Sequence, residues 1–178
     1  MNSPEASRAI TRQLEEVLGR ISSAEVEGLC DRLCRARATF VTGEGRSGLV
    51  GRCFAMRLMH LGLTVHFVGD TTAPAFGPGD LLVAISGSGE TALTQTIARL
   101  ARQAGGQVIT VTAVGDSSLG SLAELTLIVP ADLQDAIQFG RSLFEQSALI
   151  VLDAIALLLQ QRLGQTNEQM EARHANLE

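Results

Sequence analysis

Lysine is absent from this chain of 178 residues, and all 14 of its basic residues are arginines. Catalysis through a lysine Schiff base is thereby excluded. Positive charge is scarce overall, because 19 acidic residues leave a net charge of -5. No basic stripe is present to neutralise a phosphate backbone, so nucleic acid is not an expected partner. Cysteine is limited to Cys30, Cys34 and Cys53, which form no disulfide framework. Cys30 and Cys34 coincide with the apolar stripe of an expected helix and read as small buried hydrophobes in a reduced cytosol. No cluster of metal-ligating residues stands out, and neither a metal nor a cofactor is expected. Asp153 interrupts the longest apolar run, Ala148 to Leu159, so no membrane-spanning segment is expected either. The N-terminus lacks the basic-then-apolar pattern of a secretory leader. These absences point to a cytoplasmic protein whose partner is a small molecule.

What is present is regular. Hydrophobic residues make up 46% and charged ones 19%, the balance of an ordinary globular domain able to bury a core. Ile10, Leu14, Val17, Leu18 and Ile21 repeat at helical spacing after Ser3-Pro4, a cap and first-turn proline. Ser22 and Glu25 read as a capping box before a second helix striped by Val26, Leu29, Cys30, Leu33 and Cys34. Short apolar runs follow at Thr39–Thr42, Thr64–Val68, Leu81–Ile85, Val108–Thr112 and Thr126–Val129. Helical patterns fill gaps between them at Leu49–Leu61 and Ala92–Ala104, closed by Gly62 and Gly105. Strand alternating with helix predicts a single α/β domain, a doubly wound five-stranded parallel sheet of order 2-1-3-4-5 flanked by helices. Its parts are N-terminal helices over 3–36, a core over 38–163 and a polar, frayed tail over 165–178. The last long helix, Leu143 to Leu163, is apolar almost all round, which suits burial against a partner subunit.

Two hydroxyl- and glycine-rich loops carry the chemistry. The first strand runs into Gly43-Glu44-Gly45-Arg46-Ser47-Gly48, and the third into Ser86-Gly87-Ser88-Gly89-Glu90-Thr91, each ahead of a helix. Glycine lets the backbone approach an anion, and a helix start offers unpaired N–H groups. Hydroxyls add donors without charge. Charge-assisted bonds contribute roughly 1.5–3 kcal/mol each, enough for a few to hold a phosphate. Read singly, either loop is as well explained as a turn. Together they occupy the two sides of the point where a 2-1-3-4-5 sheet reverses its order, the place where such folds bind ligands. A rival reading exists: the first loop is literally G-x-G-x-x-G, with Asp70 after the second strand, as in dinucleotide-binding domains. A chain this short leaves no room for a separate substrate domain, and Ser47 beside Arg46 suits a terminal phosphate better.

The two loops resemble those of the SIS (sugar isomerase) domain family. Three further stretches look like one branch of it, the 6-phospho-3-hexuloisomerases: Phe54-Ala55-Met56-Arg57-Leu58-Met59-His60-Leu61-Gly62, Ser142-Leu143-Phe144-Glu145-Gln146, and the ending Arg173-His174-Ala175-Asn176-Leu177-Glu178. The resemblance implies interconversion of D-arabino-hex-3-ulose 6-phosphate and fructose 6-phosphate through an enediol. In that family this is a step of the ribulose monophosphate route of formaldehyde fixation. It implies no cofactor, and a dimer or tetramer with shared active sites. A non-catalytic SIS module that senses a sugar phosphate is the alternative, and needs only the phosphate-binding residues.

Ser47, Ser86, Ser88 and Thr91 are the expected phosphate donors, with Gly45, Gly87 and Gly89 supplying backbone approach. Arg46 adds charge, faces solvent or pairs with Glu44. Glu145 has two readings. Ser142-x-x-Glu145 at the start of an apolar helix is a capping box, whereas the resemblance makes Glu145 the general base. His174 is by chemistry alone a tail residue without a role; the matched ending makes it a proton-transfer group, in its own site or a neighbour's. His60 and His66 read as structural, Glu90 as favouring a helix N-terminus, and Arg141 is left without a role.

Overall fold

The computed structural model describes residues 2–132 and 136–177; Met1, residues 133–135 and Glu178, the last residue of the matched ending, lie outside the described residues. In chain order the elements are α1 (Ser3–Leu18), α2 (Ser23–Arg35), β1 (Thr39–Gly43), α3 (Gly45–His60), β2 (Val65–Phe67), β3 (Leu81–Ile85), α4 (Ala92–Gln103), β4 (Gln107–Thr112), a 3-10 turn (Gly120–Leu122), β5 (Leu125–Ile128), α5 (Ser142–Arg162) and α6 (Asn167–Glu171).

The five strands form one sheet of order β2-β1-β3-β4-β5, every pair parallel, as expected. All residues of β1 and β3 are buried, as befits central strands covered on both faces. Alternate side chains then feed two cores. Val41, Val83, Ile85, Ile109 and Val111 pack against α2, α3 and α5, while Phe40, Leu82, Ala84 and Val108 pack against α4 and the segment carrying Phe76. Pairing of Gly43 with Ile85, and of Ile85 with Val111, ends β1, β3 and β4 side by side. That common edge positions the site.

Local chemistry explains several departures from expectation. The cap of α1 is Asn2, which closes a capping box with Glu5, not Ser3. Ser22 caps α2 by accepting from the Glu25 amide at 3.3 Å. The Glu25 carboxylate leaves that box open and accepts instead from the Ile128 amide at 2.8 Å, tying α2 to β5. Helix α5, at 21 residues, is long and apolar enough by composition to cross a membrane, contrary to the expectation that Asp153 forbids it. In the fold it is a core helix: Leu152, Ile155 and Leu159 are buried, and Asp153 takes the exposed side, 3.8 Å from Arg57. The tail is fastened as far as His174, against the expectation of fraying from 165 on. Thr166 and Gln169 close a capping box on α6, and Arg173 donates to the His60 carbonyl at 3.0 Å, fastening the tail to the end of α3.

Candidate functional site

Three helices begin beside the common strand edge, and none has a side-chain cap: Glu44 precedes α3, Thr91 precedes α4 and Arg141 precedes α5. By contrast Asn2, Ser22 and Thr166 all cap their helices. An uncapped start leaves its first N–H groups without helical partners, next to the positive end of the dipole. Three such starts at one edge are an arrangement whose chemistry suits an anion.

The first loop is tighter than expected, because Gly45, Arg46, Ser47 and Gly48 already form the first turn of α3. Gly45 makes the turn with φ +56°. A Cβ on Gly48 would stand 2.4 Å from the Gly43 carbonyl oxygen, so only glycine lets the helix rise straight out of β1. Ser47 follows one residue after Arg46 and is half-buried.

The second loop leaves β3 one strand spacing away, about 4.8 Å. Its hydroxyls hold its shape. Buried Ser86 lies 2.9 Å from the Thr91 hydroxyl and accepts from the Gly89 amide at 3.2 Å. Ser88 accepts from the Glu90 amide at 3.1 Å. Glu90 does more than favour a helix start: its carboxylate accepts from the Ser118 amide at 2.7 Å and from Gln95 at 3.1 Å. The Ser118 bond holds Glu90 below the usual carboxylate range. It also fastens the segment after β4 beneath the loop, where a Cβ on Gly89 would fall 2.2 Å from the Ser117 hydroxyl. That segment, Gly115-Asp116-Ser117-Ser118-Leu119-Gly120, escaped the sequence reading, although its glycines and serines after a strand repeat the pattern of the second loop.

The start of α5 touches both loops. No capping box forms there, because the Ser142 hydroxyl donates to the Phe139 carbonyl at 2.9 Å. The Glu145 carboxylate, mostly buried, is ion-paired with Arg46, which therefore neither faces solvent alone nor pairs with Glu44. Leu49, Val50, Cys53 and Leu149 share with this pair a cavity of about 200 Å³. One turn earlier, Arg141 donates to the Gly87 carbonyl at 3.2 Å. Its Cδ and the Phe144 ring occupy the space that a Cβ on Gly87 would need, at 2.9 and 2.8 Å. Beyond Arg141 opens a cavity of about 450 Å³ that Arg20, Ala113 and Asp132 also line.

His174 is not brought to this place by its own chain. Its ring stacks on His60 with centroids 5.2 Å apart, at the far end of α3, roughly 22 Å along the helix from Gly45. Burial, then the neighbouring His174 and Arg57, push the His60 imidazole below its usual value. His66 lies against Phe40 in the sheet. Asp70, the acidic residue of the dinucleotide reading, accepts from Arg52 at 3.2 Å. Of the cysteines only Cys30 is buried, its thiol pushed up to about 11 by desolvation; Cys34 is exposed, against expectation, and so is Cys53. Cys34 turns outward because it lies past the buried Leu33, at the end of α2. Among the described residues no group of His, Cys, Asp and Glu is arranged to hold a metal ion.

Comparison with known proteins supplies the family and the fold. The SIS domain profile matches residues 32–157. A 3-hexulose-6-phosphate isomerase of Bacillus subtilis is 37% identical over the whole of both chains. Another, of Mycobacterium gastri, is 39% identical over 93% of this chain and 86% of its own. A crystal structure from Methanococcus jannaschii, inferred to have the molecular function of 3-hexulose-6-phosphate isomerase, superposes with a TM-score of 0.89 at 33% identity, covering 98% of this chain and 99% of the other. Sheet order, paired loops and relatives converge: the chain belongs to the SIS domain family.

Proposed function

We propose that this chain isomerises D-arabino-hex-3-ulose 6-phosphate to fructose 6-phosphate, and that it does so in the cytoplasm within the ribulose monophosphate route. One observation carries the reading: the first turn of α5 sets a mostly buried carboxylate, Glu145, against one phosphate-type loop while Arg141 lies on the other. The relatives named as 3-hexulose-6-phosphate isomerases, similar over most of the chain, support it.

The amides of the first turns of α3 and α4, with Ser47, Ser86, Ser88 and Thr91, hold the phosphate. Gly45, Gly87 and Gly89 let the backbone come close, and Arg46 adds charge. Anchoring the phosphate fixes the distance to the reacting carbons, so binding energy is used for orientation. Glu145 takes the proton from C2, giving a 2,3-enediol, and returns it to C3, while the hydroxyl proton passes from O2 to O3. No electron leaves the sugar. His174 serves proton transfer between these oxygens, and because its own chain holds it at the far end of α3, it comes from a neighbouring subunit of a dimer or tetramer.

A sensor of sugar phosphate would use the same loops without Glu145. The test is an isomerase assay that starts from the hexulose 6-phosphate and detects fructose 6-phosphate. Removing a general base costs about 10²–10⁴ in rate, so Glu145→Gln is expected to lose turnover to that extent while still binding fructose 6-phosphate. Wild-type protein that binds the sugar phosphate without turning it over would favour the sensor.

A further inference from the structure

We propose that Arg46 is a positioning residue that keeps Glu145 idle until a phosphate arrives, pairing with the carboxylate in the free protein and with the phosphate in the complex. The inference rests on the reading of Glu145 as the base. The two residues stand 99 positions apart in sequence, each in the first turn of its helix, and the Arg46 Nε donates to the Glu145 Oε2. A cation in a first turn faces the positive end of its own helix, so Arg46 is placed for a nearby anion. Two anions suit it: the Glu145 carboxylate, its carboxylate partner among the described residues, and the phosphate for which the uncapped amides beside it are arranged.

Exposure decides which partner moves. The Arg46 side chain is 61% exposed and Glu145 only 13%. The guanidinium therefore swings, and the carboxylate stays. A phosphate dianion offers more charge and a better match to the guanidinium fork than one carboxylate oxygen does. While Arg46 is on Glu145, a lone pair that would accept the substrate proton is engaged. Once Arg46 turns to the phosphate, the carboxylate faces Leu49, Val50 and Leu149 with that lone pair open. Phosphate recognition and release of the base become one event. A sugar without phosphate then loses rate as well as affinity, since the discrimination is exerted in the chemical step.

The experiment uses the unphosphorylated hexulose, with and without inorganic phosphite as a free dianion. Wild-type protein is expected to isomerise it slowly, and phosphite to raise that rate by about tenfold or more. Arg46→Gln is expected to turn over the unphosphorylated sugar several-fold faster than wild type and to lose activation by phosphite. With hexulose 6-phosphate its KM rises. A merely structural or merely phosphate-binding arginine does not produce the faster basal rate. Arg46→Met, which keeps the aliphatic stem, gives the same reading if the glutamine variant melts early. A basal rate at or below wild type in a well-folded variant would overturn the proposal. Glu145→Gln separates the two ideas. Full turnover in that variant removes Glu145 as base, whereas a dead Glu145→Gln with an unaltered Arg46→Gln removes only the arginine's part.

Discussion

Ser47 and Ser88 stand half-buried at the two loops, where a hydroxyl is near enough to bind a ligand and open enough to receive one. Each Ser→Ala exchange is expected to weaken binding of fructose 6-phosphate by about 1–3 kcal/mol, read by titration calorimetry. Unchanged affinity in both variants, with melting temperatures kept, discards the crevice as the phosphate site. A different residue, Asp80, contributes to the response to acid. Buried Asp80 accepts from Arg37 at 2.9 and 2.6 Å and from the Gly77 amide at 2.9 Å. Those Arg37 bonds hold its carboxyl below the usual range. A depressed folded value contributes stability that is present above the unfolded value of about 3.9 and is lost as pH falls through the folded one. Asp80→Asn is accordingly expected to cost about 1–3 kcal/mol at neutral pH. Urea melts should show the difference from wild type constant down to weak acid and shrinking only in strong acid. A difference that persists at the acid end assigns the loss to packing.

At the scale of elements, α5 offers a direct contrast between its two sides. Leu152 is 1% exposed and Leu157 57%. Leu152→Ala is expected to cost about 2–5 kcal/mol in urea unfolding, and Leu157→Ala within about 0.5 kcal/mol for a lone subunit. A loss at Leu157 that grows with protein concentration identifies the outer side of α5 as a subunit contact. The same helix shows what could be read in advance. All five strands were legible to within about a residue at each end, because each is a short run dominated by apolar and β-branched residues, and the fully buried β1 and β3 run straight into their glycine- and serine-rich loops. The start of α3 was not, since glycines written as a loop already belong to its first turn, a consequence of how closely Gly48 lies on Gly43. Helix α6 was hidden because its five residues hold a single apolar side chain, Met170, and so carry no apolar period. Ser142 and Glu145 have the spacing of a capping box, and local spacing could not show that the carboxylate's partner lies 99 residues away on α3. Positions 45, 47, 86, 88 and 91 were named from sequence because their chemistry is local; Arg141 and Ser118 act through tertiary contacts, so Arg141 was left without a role and Ser118 was not named.

For the whole molecule, the distance between Glu145 and His174 within one chain becomes a statement about assembly. If each site combines the two groups from different subunits, Glu145→Gln and His174→Ala are each inactive alone. Unfolding them together and refolding is expected to restore part of the activity, because some mixed sites then hold both native groups. Mixed oligomers that form and stay inactive assign both groups to one chain, or remove His174 from the chemistry. The three uncapped helix starts have a wider consequence. An open start is a weak point of the fold, and on the proposed function a bound phosphate completes two of them, those of α3 and α4, at once. Ligand at 100 times its dissociation constant adds about 2.7 kcal/mol to the folded state. Degradation inside a cell follows the population of the opened chain when opening and closing are fast. On the proposed function the lifetime of the protein then follows the supply of its sugar phosphate: with ligand bound the chain opens less often and persists longer than without it.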